Sequence, residues 1–185
     1  MSKKKTKEKP LVKLDLGCGK NKREGFLGVD QYKLPGVDKV ANLTKKWPWD
    51  DNSVDEVNAS HFIEHLTAVQ RCFFMNELYR VLKPGATATI IVPHWASCRA
   101  YGDPTHQWPP VGEFFFYYLN KEWREGQTPH VDKKNWPDGY DCNFNATWGY
   151  ALNPAIASRS QEWQQFAINH YREAAHDIIA TLTKL

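Results

Sequence analysis

Long apolar runs are missing from this sequence. No stretch approaches the ~18 consecutive apolar residues that a membrane-spanning helix needs, which predicts a soluble chain without a membrane partner. Cysteine is scarce: Cys18, Cys72, Cys98 and Cys142 are widely spaced and form no CxxC pair. A secretory leader is missing as well, because MSKKKTKEKP has no apolar residue between Met1 and Pro10 and a leader requires an apolar stretch. The thiols are therefore read as reduced, in a cytoplasmic protein. A strong excess of one charge is also absent. Lys and Arg number 24 against 21 Asp and Glu, a net charge of +3, and five of the lysines stand in the opening segment. The remainder is close to neutral, which gives little support to a nucleic-acid partner. No internal repeat is present, and no low-complexity stretch beyond that segment.

What is present fits a single domain, since 185 residues lie within the usual range of ~100–200. A hydrophobic share of 42% can build a core without disulfides or metal. Residues 1–10 read as a basic, disordered tail, or as an arm that touches phosphate. Residues 11–185 read as one domain with a regular front (11–93), a substrate or lid region (94–154) and a C-terminal helix (155–185). The chain carries eight Trp, eight Tyr and nine Phe, most of them after residue 94.

The front predicts a mostly parallel sheet. Leu11 to Leu16 is a short apolar run ending at glycines, as in a buried parallel strand. Phe26 to Asp30, Val37 to Leu43 and Val54 to Ala59 read as further strands. From Thr67 to Leu82 apolar residues recur at helical spacing until Lys83-Pro84-Gly85 ends the helix. Thr87 to Pro93 is β-branched and apolar, a fifth strand. Ligands of such sheets sit beyond the carboxyl ends of the strands, which places Gly17, Asp30, Asn42, His61 and His94 along one rim. Farther on, Tyr140 to Tyr150 alternates as a half-buried strand. Trp163, Phe166, Ala167, His170, Tyr171, Ala174, Ile178 and Leu182 form a helical stripe toward the end.

The segment LDLGCGKNKREGFLGVD, residues 14–30, carries the functional reading. Gly17 and Gly19 follow a strand where the backbone must turn tightly beside a ligand. Asp30 closes the next strand, where a carboxylate can accept both hydroxyls of a ribose. A dinucleotide fingerprint would need a third glycine at position 22 and a helix to hold pyrophosphate. Position 22 is Lys22, and too few residues separate Gly19 from Phe26 for a helix of several turns. An adenosyl cofactor without phosphate loses nothing by this.

This run resembles the first motif of the class I S-adenosylmethionine-dependent methyltransferases, in the type-11-like branch that pairs LGCG with an early GVD. VDKVANL, WPWDDNSVDEV, ASHFIEHL and LYRVLKPGATATIIVP follow in the family's order, over residues 11–93. The resemblance implies an α/β fold with a doubly wound, mostly parallel sheet and S-adenosyl-L-methionine as cofactor. It places Asp15, Gly17, Cys18 and Gly19 at the methionine and ribose side, and Asp30 on the ribose hydroxyls. Asn42 and Leu43 would flank the adenine, and His61 would close the carboxylate side. Asn42 stands where the family commonly has Asp, and an amide also bonds an adenine edge. The first crossover helix looks reduced or missing, and the back half matches the family's closing antiparallel hairpin poorly.

Methyl transfer from a sulfonium needs alignment, and a base only if the acceptor must lose a proton. His94, Tyr101 and His106 are the candidate bases, beside a reading in which they brace the loop. Aromatic residues of the back half could wall a cationic centre or form ordinary core. His94, Cys98, Asp103 and His106 match no zinc spacing, so no metal is expected. His61, Glu64 and His65 read as helix-start and cofactor-side residues. The expected acceptor is a small molecule or a modest polar group, not further identified. A nucleic-acid methyltransferase is the alternative, although no NPPY-like, DPPY-like or Pro-Cys motif occurs. A cofactor-binding module without chemistry, or another use of the same cofactor, completes the set.

Overall fold

The computed structural model describes residues 10–185, so the expected basic tail lies outside the described residues except for Pro10. Seven strands form one sheet: β1 (Lys13–Leu16), β2 (Leu27–Asp30), β3 (Lys39–Val40), β4 (Val54–Ser60), β5 (Leu82–Pro93), β6 (Phe144–Leu152) and β7 (Ala175–Lys184). Their order is β3-β2-β1-β4-β5-β7-β6. The pairings from β3 through β5 are parallel, while β7 runs antiparallel to both β5 and β6. The α/β, mostly parallel sheet expected from the sequence is therefore present, and its order reverses between β1 and β4.

Among the described residues six α-helices accompany the sheet: α1 (Ala68–Val81), α2 (Arg99–Gly102), α3 (Glu113–Tyr117), α4 (Lys121–Gln127), α5 (Pro154–Ala157) and α6 (Gln161–His170), with short 3-10 turns at Ile63–His65 and Pro129–Val131. Only α1 links two parallel strands. It starts with a capping box, Thr67 bonding the Gln70 amide and Gln70 bonding back, which meets two of the donors a helix N-terminus leaves open. It buries Cys72, Phe74, Met75, Leu78 and Val81 against Leu14, Leu16, Val57 and Ile90 of the sheet core. The connections from β1 to β2, β2 to β3 and β3 to β4 contain no helix, as the short spacing after Gly19 predicts. No described helix is long and apolar enough to cross a membrane.

The expected C-terminal helix over 155–185 is corrected. Helix α6 ends at His170, and β7 then enters the sheet between β5 and β6. Ala174, Ile178 and Leu182 are four apart, a spacing that shares one face of a helix but also one face of a strand. Ala180, fully buried between Ile178 and Leu182, decides for the strand, because on a helix it would point away from them. With β7 in place, the closing antiparallel hairpin that the sequence reading found wanting is formed.

Candidate active site

The carboxyl ends of β1, β2 and β4 surround a cavity of about 630 Å³ that Gly17, Asp30, Asn42, Leu43 and His61 help to line. Asp30 ends β2, and each of its oxygens takes one backbone donor. The Gly19 N–H bonds Oδ2 at 3.1 Å and the Tyr32 N–H bonds Oδ1 at 2.9 Å. A carboxylate offers about four acceptor positions, so each oxygen keeps capacity for one hydroxyl of a ribose diol. Asn42 Oδ1 accepts from the Thr44 amide at 2.9 Å and the Thr44 hydroxyl at 2.7 Å. Its Nδ2 remains as a donor with no acceptor among the described residues. The cavity lies within the ~300–1,000 Å³ typical of small-molecule sites. No helix N-terminus opens onto the turn after β1, so an adenosyl group fits and a pyrophosphate would find no dipole there.

Gly17 works differently from the sequence expectation. Its φ of +68° requires glycine, yet a Cβ there would lie 2.2 Å from Phe62 Cδ2. The missing side chain thus makes room for Phe62 rather than for a ligand. Asp15, Cys18 and Gly19 stand behind the cavity wall. Asp15, 3% exposed, accepts from Asn58 Nδ2 and the Arg23 amide, both at 2.7 Å, which staples the glycine turn to β4. Burial pushes the Cys18 thiol above its ordinary pKa. The sequence reading missed Phe62, Tyr32, Leu66, Gln70 and Thr105 on the cavity wall. An exposed tyrosine two residues after a strand-closing carboxylate was the one available signal.

His61 has a left-handed φ of 52°, uncommon for a residue with a side chain. Its N–H is tied to Ile91 O at 2.8 Å. Its Nδ1 lies 3.3 Å from Glu64 Oε1, and Nε2 lies 3.9 Å from Asp177 Oδ1. The Glu64 carboxylate raises the His61 pKa, against the opposing effect of burial.

None of the three candidate bases lines this cavity, and among them His106 alone lines the one that shares His61 and His65 with it. It lines a second cavity of about 590 Å³ with His61, Glu64, His65, Arg99 and Asp103, and His61 and His65 wall both spaces. His94 is corrected: it is 1% exposed and both ring nitrogens are engaged. The Ala96 N–H bonds Nδ1 at 3.2 Å, so Nε2 carries the hydrogen and donates to Glu113 Oε1 at 3.1 Å. Glu113 also accepts from the Tyr150 hydroxyl at 3.1 Å, which makes His94 a brace between the loop and β6. Tyr101, half-exposed, borders two other cavities, one against Ile168 of α6 and one lined by Trp95, Trp108 and Phe114. That aromatic cavity shares no lining residue with the Asp30 cavity, so the expected aromatic wall stands elsewhere.

A methyltransferase-domain family model matches residues 24–90, from just before β2 into β5. A S-adenosylmethionine-dependent methyltransferase from Archaeoglobus fulgidus has the same fold, with a TM-score of 0.64 at 19% identity over 94% of this chain and 86% of that one. One from Methanosarcina mazei gives 0.55 at 16% identity, covering 96% and 94%. The 1,6-didemethyltoxoflavin-N1-methyltransferase of Burkholderia thailandensis gives 0.55 at 12%, covering 95% and 71%. No curated protein matches the sequence. Over β2 to β5 the chain is thus similar to a methyltransferase domain, and the whole of the described sheet shares its fold with S-adenosylmethionine-dependent methyltransferases.

Proposed function

We propose that the Asp30 cavity holds S-adenosylmethionine and that the methyl group passes in line to a small polar acceptor in the adjoining cavity. Asp30 takes the ribose hydroxyls, Asn42 and Leu43 flank the adenine, and His61 closes the amino-acid end. The cofactor supplies an already activated methyl carbon, so the chain's task is to align an acceptor with it. The observation that carries this reading is the shared wall. His61 and His65 border both cavities, so groups bound on either side meet there. Imidazoles, Arg99 and the Glu64 and Asp103 carboxylates surround the acceptor space, which favours a polar molecule over an apolar one.

Calorimetric titration with S-adenosylhomocysteine tests the first half, and methyl-labelled cofactor with fractionated cell extract tests the second. Binding together with a labelled small molecule is the expected result. Label in RNA or DNA would move the acceptor to nucleic acid. Binding with no labelled product in any fraction would leave a module without chemistry.

A further inference from the structure

We propose that Glu64, His65 and His106 form a binding site for one divalent first-row transition cation, in the wall of the cavity that adjoins the Asp30 cavity. One carboxylate oxygen and one nitrogen from each imidazole lie within 4.8 Å of one another, close enough for a single ion to take all three.

Glu64 supplies the decisive observation. It is 4% exposed, and neither carboxylate oxygen has a hydrogen-bond partner among the described residues. His61 Nδ1 approaches to 3.3 Å but not along a hydrogen-bonding direction. A buried carboxylate with only a poorly directed imidazole beside it is costly unless a further cation accompanies it.

The two imidazoles are held in the tautomer that binding requires. Thr105 Oγ1 gives its hydrogen to Asp103 Oδ1 at 2.6 Å and so accepts from His65 Nδ1 at 2.8 Å. His106 Nδ1 donates to Ala100 O at 3.2 Å. In both rings Nε2 is left with its lone pair, and such outer hydrogen bonds are how ligating histidines are oriented. The rings sit edge to face, 4.7 Å between centroids.

The scaffold joins the two segments firmly. Arg71 bonds Ile63 O, Glu64 O, Gln107 O and Pro109 O, and the Gln107 amide bonds Glu64 O at 2.8 Å. Nearby charges are His61, Arg99, Asp177 and Asp103, whose Oδ2 is 3.9 Å from His106 Nε2.

Two imidazoles and one carboxylate suit Zn²⁺, Mn²⁺, Fe²⁺ or Co²⁺ better than Mg²⁺ or Ca²⁺, which prefer oxygen. Three protein ligands leave coordination positions for an oxygen of the acceptor. That role rests on the function proposed above; the binding itself does not.

The test uses the full chain, stripped with EDTA and titrated with ZnCl2 and with CoCl2 by calorimetry and visible absorption. One ion per chain is expected, with Co²⁺ bands of low-coordinate character. His106→Gln and Glu64→Gln should each weaken Zn²⁺ binding about tenfold or more, while S-adenosylhomocysteine affinity stays at the wild-type level. Thr105→Val, which removes only the outer bond to His65, should weaken Zn²⁺ less. No binding by wild type, or wild-type Zn²⁺ affinity in both His106→Gln and Glu64→Gln, would overturn the site. Zn²⁺ binding without S-adenosylhomocysteine binding would instead overturn the cofactor reading and leave the cation site standing.

Discussion

Asp132 and Glu64 are both withdrawn from water, at 5% and 4% exposure, yet the chain treats them in opposite ways. Asp132 has an internal counter-ion: Arg124 Nε bonds Oδ2 at 2.9 Å, and the Lys134 amide bonds Oδ1 at 3.0 Å. Arg124, itself 1% exposed, spends its other nitrogens on Tyr118 O and Cys142 O. Among the described residues no donor makes a well-directed hydrogen bond to either Glu64 oxygen, and His61 Nδ1 stands 3.3 Å from Oε1. Asp30 stands between them, with one backbone donor per oxygen and an open side toward the cavity. A buried internal counter-ion separates a carboxylate that holds the fold together from one kept for something outside the chain.

The largest expected effect tests the ion-paired end. Asp132→Asn leaves the Arg124 charge buried without its counter-ion, which should cost about 3–5 kcal/mol in urea unfolding. A loss below about 1 kcal/mol would place Asp132 among ordinary surface carboxylates and remove one pole of the contrast. Acid sharpens the same point. Burial alone would raise the Asp132 pKa, but the Lys134 amide and Arg124 outweigh it and hold the group below its ordinary value. A depressed folded pKa gives stability that is complete above the unfolded value of ~3.9 and is lost as pH falls through the folded one. The wild-type acid transition should therefore be steeper below about pH 4 than that of Asp132→Asn, as followed by circular dichroism.

The same gradient marks what sequence could show. Asp30 was legible because a carboxylate closing a strand beside a glycine turn is a local pattern, and β1, β2, β4 and α1 were legible as local runs. The Glu64–His106 cluster was not, because it is assembled by long-range bonds from Arg71 and Gln107 to loop carbonyls. His94 misled for the converse reason: its place after β5 suggested the rim, while Glu113 and Ala96 turn the ring inward. Strand β7 was hidden by a four-residue spacing that helix and strand share.

An intermediate effect is expected at Asp30. Asp30→Ala should weaken S-adenosylhomocysteine binding by about 1.5–3 kcal/mol, as for hydrogen bonds to a charged group, read by calorimetry. It should alter stability less than Asp132→Asn does, because only backbone donors to its two oxygens are released. Unchanged affinity would break the assignment of Asp30 to the ribose.

The smallest effect belongs to Glu64. In EDTA, Glu64→Gln removes a buried charge that has only the poorly directed His61 ring beside it among the described residues, so the unfolding free energy should change by no more than about 1 kcal/mol, and toward greater stability. Substitutions of buried groups usually destabilise, which makes the sign informative. A neutral amide is cheaper to bury than a carboxylate, and only the poorly directed His61 contact is weakened in exchange. Urea midpoints measured with and without ZnCl2 complete the argument. Zinc should raise the midpoint of wild type, since a ligand that binds only the folded chain stabilises it, and should leave that of Glu64→Gln nearly unmoved. A loss in EDTA comparable to that of Asp132→Asn would mean that Glu64, too, is a structural partner, and the difference between the two carboxylates would vanish.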